Sequence, residues 1–230
     1  MARQPAPGTR DRILDTATRL FQEQGVRAVG LQQIIDECGC GKSLLYREFA
    51  SKDALVVAYL EHAQAQWSEI MDDAVRPYAD DPGAQLVALV QAVADQVAAP
   101  DYSGCPFRMT HAHFPDPDHP AHQVAVRHVR DLRARLRRLA RRARARAPAA
   151  LGDQLTLVID GLYVNGAMLG DRVAGAPAVA LAEEPVRGAT AATGHGTLQP
   201  GADWPRRRES RRRADLRLAG RGGRIGLSMS

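Results

Sequence analysis

The sequence predicts an all-α protein. Apolar residues recur at helical spacing in successive segments, Gly and Pro punctuate those segments, and strand-like alternation nowhere persists. Residues 1–8, with Pro5, Pro7 and Gly8, read as a flexible arm. Ile13, Ala17, Leu20 and Phe21 then share one helical face, with Thr9 as the expected N-cap and Gly25 as the stop. A short helix from Leu31 to Cys38 starts at Gly30, carries Gln33 placed to bond back to its start, and ends at Gly39. A third runs from about Gly41 to Phe49. Ser51 caps a fourth, which turns Leu55, Tyr59, Leu60, Ala63, Trp67 and Ile70 toward a core.

Pro77 and the Asp80–Gly83 stretch mark a break. A helix is expected over 84–99, then a short one over 104–114. The turn 115–120 offers Asp118 as N-cap and Pro120 for the first turn of a long helix ending near Arg146. Its Val129, Leu132, Leu136, Leu139 and Ala143 form an apolar seam. Another helix covers 151–169, and a further one lies near 176–184. Past Glu184 the apolar periodicity vanishes, and residues 185–230 read as an Arg/Gly/Pro-rich tail that cannot offset its ordering entropy. That tail is either a basic accessory arm or a segment with no specific role.

Charge needs dissecting. The 230 residues have a net charge of +5, but 185–230 hold ten arginines against three acids, so the rest is slightly acidic. Net charge therefore does not show that the folded part binds nucleic acid. No run of 18 apolar residues supports a membrane-spanning helix, and the N-terminus lacks a secretory pattern, so a cytoplasmic protein is expected. Three cysteines make no disulfide framework, and Cys38 and Cys40 are expected to lie too close in the chain for an easy bridge.

The second and third helices, joined through Cys38-Gly39-Cys40-Gly41, have the short glycine-bearing turn of a helix-turn-helix. If Ile34, Ile35, Cys40, Leu45 and Phe49 pack inward, Lys42, Ser43, Leu44, Tyr46 and Arg47 face outward. That set suits the DNA major groove. Lys42 and Arg47 can donate to guanine edges or phosphates, Ser43 can bond either base class, and Leu44 can touch a thymine methyl. Tyr46 can donate to a phosphate, and Lys52 stands in the first turn of the fourth helix, where an anion is favoured.

The stretch 25–55, and above all GKSLLYREFASKDAL at 41–55, resembles the DNA-binding motif of the tetracycline-repressor (TetR) family of bacterial regulators. The resemblance in motif covers about residues 9–60. It implies a helix-turn-helix DNA-binding domain over 9–55 and a larger helical ligand-binding and dimerisation domain over 56–184. It further implies a homodimer on a double-stranded DNA operator, with repression relieved by an unknown small-molecule effector. Some positions depart from the family pattern. Val29 and Gly30 replace a capping Thr or Ser, Gly41 replaces a Ser, and Ile35 stands where a small residue is common. Each costs about 1 kcal/mol through capping or packing.

An effector cavity is expected among Leu86, Leu89, Val93, Phe107, Met109, His113, Phe114, Val129 and Leu162. The dimer surface is expected on the helix 151–169, where Leu155, Val158, Ile159 and Leu162 supply apolar area and Gly166 allows close approach. A purely core role for that helix is the alternative.

Other motifs carry less. Gly39–Ser43 lacks the preceding strand and spacing of a phosphate-binding loop, and the glycines at 220–226 miss the dinucleotide pattern, so no cofactor is expected. His111, His113, His119, His122 and His128 do not have a standard metal-ligand spacing, so no metal is expected either. The arginines of 127–146 read as a solvated face. No serine, cysteine or carboxylate constellation points to catalysis. The competing class is an all-α enzyme or ligand carrier with purely structural N-terminal helices.

Overall fold

The computed structural model describes residues 8–100, 102–169 and 175–190. All belong to the unit Met1–Gly194. Among the described residues there are nine α-helices and no strand: α1 Thr9–Gln24, α2 Leu31–Cys38, α3 Lys42–Glu48, α4 Lys52–Val75, α5 Pro82–Val97, α6 Pro106–His113, α7 Pro120–Arg142, α8 Pro148–Leu169 and α9 Gly175–Thr190. A single 3-10 turn, Arg76–Tyr78, follows α4. No described helix is long and apolar enough to cross a membrane.

Helix α1 and the two short helices α2 and α3 close over Ile13, Ala17, Leu20, Phe21, Ile34, Ile35, Leu45 and Phe49, all buried. Helix α4 runs on from them. Ser51 caps it, its hydroxyl accepting from the Ala54 amide at 3.1 Å. Tyr59 meets Phe21 edge-on at 5.4 Å, while Trp67 and Met71, two to three turns further on, are buried in the same continuous core as α5, α7 and α8. Helix α7 packs chiefly on α8, and α5 on α9. Leu132, Leu136 and Leu139 are buried as the seam spacing requires.

Several boundaries differ from expectation. Thr9 is the buried first residue of α1, and Gly8 is its cap. His119, not Asp118, caps α7, its Nδ1 accepting from the Ala121 amide at 3.2 Å. The Gln33 amide donates to Gln24 and Glu37 rather than back to the helix start. Ile70 is 43% exposed, and the next residue, Met71, takes its place in the core. Helix α9 passes through Pro185 to Thr190 instead of ending at 184, and Val186 is buried, its Cγ1 near Gly83 of α5. Residues 1–7 of the expected arm 1–8, and 191–230 of the expected tail 185–230, lie outside the described residues.

Candidate nucleic-acid interface and cavity

Seven residues are too few for a helix to persist alone in water, so α3 depends on what it packs against. Leu45 is 0% exposed and Phe49 is 2% exposed, anchoring the middle of α3 and its C-terminal end to the core. Arg10 of α1 donates from Nη1 to the Glu48 carbonyl at 3.1 Å, and its guanidinium lies 4.3 Å over the Phe49 ring. With that face committed, Lys42, Ser43, Tyr46 and Arg47 are exposed together on the opposite side. Leu44, beside them, is half-buried and packed on the core. Lys52 is also half-buried. Its Nζ donates to the Arg27 carbonyl at 3.4 Å, and burial lowers its pKa. It therefore ties the α1–α2 loop to the start of α4, a role the sequence did not reveal. Neither Gly30 nor Gly41 places a side-chain cap on α2 or α3.

The α2–α3 turn brings a correction. Cys38 and Cys40 are disulfide-bonded, with Cα atoms 5.4 Å apart. The expectation of no easy bridge rests on how close the two cysteines lie in the chain. Gly39 instead adopts a left-handed conformation (φ 63°), and the amides of Gly39 and Cys40 both donate to the Ile35 carbonyl. That fold-back puts the two Cα atoms at a separation a bridge can span.

The C-terminal end of α6 meets the N-terminal helices. His113 Cε1 packs over Gly25, the Arg27 guanidinium lies 5.9 Å from the Phe114 ring, and Phe114 stacks on His119 at 4.2 Å. His119 Nε2 is 3.4 Å from Asp53 Oδ2 in the first turn of α4. His113 and Phe114 thus belong to this junction. Leu86, Leu89 and Val93 are 0% exposed within the packed core, and Leu162 is 2% exposed, so they too are core residues. Met109 covers Gly104.

Two cavities flank α6. One, of about 240 Å³, is walled by Trp67, Gln96, Tyr102, Cys105, Phe107 and Tyr163, with Gln22 of α1 at its edge. The other, of about 330 Å³, lies beside Phe107, Arg108, His111 and Val129. Of the expected pocket residues, only Phe107 and Val129 line them. Sequence patterning missed the aromatic and amide wall because Trp67 and Tyr163 fit a core periodicity equally well.

The wall is hydrogen-bonded. The Trp67 indole donates to the Tyr163 hydroxyl, which donates to Gln96 Oε1 at 3.2 Å. Burial pushes the Tyr102 and Tyr163 phenols above their usual range. Behind them His128 stacks on Phe107 at 3.7 Å, meets Trp67 edge-on and contacts the Gln64 side-chain carbonyl. Burial, aided by the Arg108 charge, lowers its pKa to about 4. Arg108 pairs with Asp160 and lies 4.8 Å from the Tyr163 ring centroid.

The arginines of α7 are partly committed to structure. Arg133 and Arg137 both grip Asp153 of α8 with bonds of 2.6–2.8 Å, holding its carboxyl well below the usual range. Arg135 pairs with Asp72 at 2.8 Å. No group of three or more His, Cys, Asp or Glu among the described residues could hold a metal ion.

On α8 the expected partner face is turned inward. Leu155 and Ile159 are 0% exposed, Leu162 is 2% exposed, and Val158 is half-buried. Gly166 is buried too. A Cβ there would sit 2.7 Å from Val97 Cβ, so its close approach serves α5 of the same chain. The opposite side exposes Leu157 (70%), Val164 (48%) and Met168 (77%), and α9 adds Leu181.

Residues 13–59 match the family described as bacterial regulatory proteins, tetR family. A helix-turn-helix-type transcriptional regulator of Mycobacterium tuberculosis is 44% identical over 50 residues, which is 22% of this chain and 25% of that protein. The match thus spans a quarter of that relative's length. The regulator BetI of Brucella melitensis is 26% identical over 77% of this chain and 89% of its own. Among solved structures, a tetR transcriptional regulator of Streptomyces avermitilis is 30% identical, with a TM-score of 0.67 over 78% of this chain and 97% of that one. A TetR-family regulator of Streptomyces coelicolor is 27% identical, with a TM-score of 0.74 over 79% of this chain and 95% of that one.

Proposed function

We propose that this chain, which belongs to the TetR family of DNA-binding transcriptional regulators, is a cytoplasmic homodimeric repressor released from its operator by a small molecule. The observation that carries the reading is the division of α3, with Leu45 and Phe49 buried and Lys42, Ser43, Tyr46 and Arg47 exposed. Two such helices about 34 Å apart enter successive major grooves of a near-palindromic site. The homodimer forms through the exposed side of α8 with α9, carrying Leu157, Val164, Met168 and Leu181, because the inner leucines are spent on the core.

The effector occupies the 240 Å³ cavity. Indole, phenol, amide and thiol groups line it, so an uncharged, hydrogen-bonding ligand suits it best. Gln22 brings α1 to the cavity edge, and the Phe114–Arg27 and His119–Asp53 contacts link α6 and α7 to the DNA-binding helices. A ligand that shifts α6 changes the spacing of the two readers, and a coupling of about 1–3 kcal/mol makes a useful switch.

The test is fluorescence anisotropy of the full chain on duplex DNA from upstream of its own gene. Tyr46→Ala combined with Lys52→Ala should abolish specific binding. Retention of that binding in the double variant would overturn the assignment of the reader.

A further inference from the structure

We propose that Cys38 and Cys40 form a reversible dithiol–disulfide couple that sets the DNA affinity of the helix that follows them. The proposal rests on the reading of α3 as the DNA reader. The two cysteines flank Gly39 in the turn that connects α2 to α3, and the bridge joins them across it. The turn is already folded back by the two amide bonds to the Ile35 carbonyl, so the 5.4 Å Cα separation needs no backbone movement for bonding.

The two sulfurs are not equivalent. Cys38 is half-buried at the core's edge, while Cys40 is 7% exposed and belongs to the apolar core. That asymmetry suits exchange. The Cys38 thiolate attacks a low-molecular-weight disulfide, forming a mixed disulfide and releasing one thiol. The Cys40 thiol, giving up its proton, then attacks the Cys38 sulfur and releases the second thiol. One S–S bond is broken and one is made. Two electrons and two protons pass from the protein to the small disulfide. Excess small thiol runs the sequence backward. The third cysteine, Cys105, is buried near α6 and takes no part.

The position of the couple gives it an effect. Helix α3 has no side-chain N-cap, and its placement depends on Leu45, Phe49 and the turn that delivers it. The bridge fixes Gly39, the most conformationally free residue of that turn. Opening it restores freedom that DNA binding must then remove. Ordering about one backbone residue in each of the two readers corresponds to operator binding on the order of thirtyfold weaker in the dithiol form of the dimer.

The full chain is equilibrated in buffers of graded reduced-to-oxidised glutathione, quenched and alkylated with N-ethylmaleimide. Mass spectrometry then reads the tryptic peptide 28–42, and anisotropy reads binding to the upstream duplex. The peptide should pass in one step from two alkylations to none, with affinity about thirtyfold higher in the bridged form of the dimer. Cys38→Ser should bind with one affinity in every buffer. Separate glutathione adducts on the two cysteines would overturn the couple. Equal or tighter binding after reduction, or an unchanged redox dependence in Cys38→Ser, would overturn its control of affinity. The mass readout needs no DNA, so loss of binding in both states alongside an intact thiol titration identifies a failure of the reader assignment and removes the regulatory role.

Discussion

The indole N–H of Trp67 donates to the hydroxyl of Tyr163 across 2.9 Å, joining α4 to α8 over 96 positions of sequence. The same hydroxyl donates to Gln96 on α5, so one oxygen ties three helices around the cavity. Tyr163→Phe leaves the buried indole donor and an amide acceptor without their partner. The expected cost is about 1–3 kcal/mol of stability, read as a lower thermal midpoint. A change within the scatter of repeated melts would mean that the hydroxyl is not holding these helices.

At the reader the expectation separates affinity from stability. Lys42 and Arg47 are exposed, so their replacement by alanine should change unfolding free energy by less than about 0.5 kcal/mol. Operator affinity should fall for each. Where the lost contact was to a phosphate, the slope of log affinity against log salt should shrink by about one. Titrations at four salt concentrations check this. Unaltered affinity in both variants would exclude this face from the contact.

The legible and illegible parts of the molecule differ for physical reasons. Helix α3 was readable because Leu45 and Phe49 stand one turn apart and leave a polar remainder whose outward direction has no alternative. Helix α8 was not. Leu155, Leu157, Ile159, Leu162 and Val164 give it apolar residues on every side, and only contacts such as Gly166 against Val97 decide which side is the core. The bridge was missed because chain distance, not the left-handed Gly39, governed the expectation. His113 and Phe114 look like any pocket-lining pair until α6 is seen to end against Gly25 and Arg27. The end of α9 was set too early because Pro185 and the loss of periodicity outweighed a single buried Val186.

The two sides of α8 should respond differently to substitution. Met168 is 77% exposed, so Met168→Arg should leave the protomer folded and convert the dimer to monomer in sedimentation velocity. Leu155 is fully buried, so Leu155→Ala should instead cost about 2–5 kcal/mol of stability. A Met168→Arg protein that sediments as a dimer would place the interface elsewhere.

His128 should make the body sensitive to mild acid. It is 3% exposed and stacked on Phe107, and burial lowers its pKa from 6.5 to about 4. Between those values the unfolded chain binds a proton that the folded chain refuses. Unfolding is therefore favoured as pH falls. The contribution of His128 is fully present above about pH 6.5 and is lost progressively toward about pH 4, where the folded form also takes the proton. Over the whole window the loss amounts to roughly 3 kcal/mol. Thermal melts from pH 7 to pH 5 should show a falling midpoint in the parent chain and a flatter response in His128→Gln. The variant will start from a lower midpoint, because it gives up the ring stacking, so the slope and not the absolute value is the readout. Equal slopes in the two proteins would show that some other group carries the acid sensitivity.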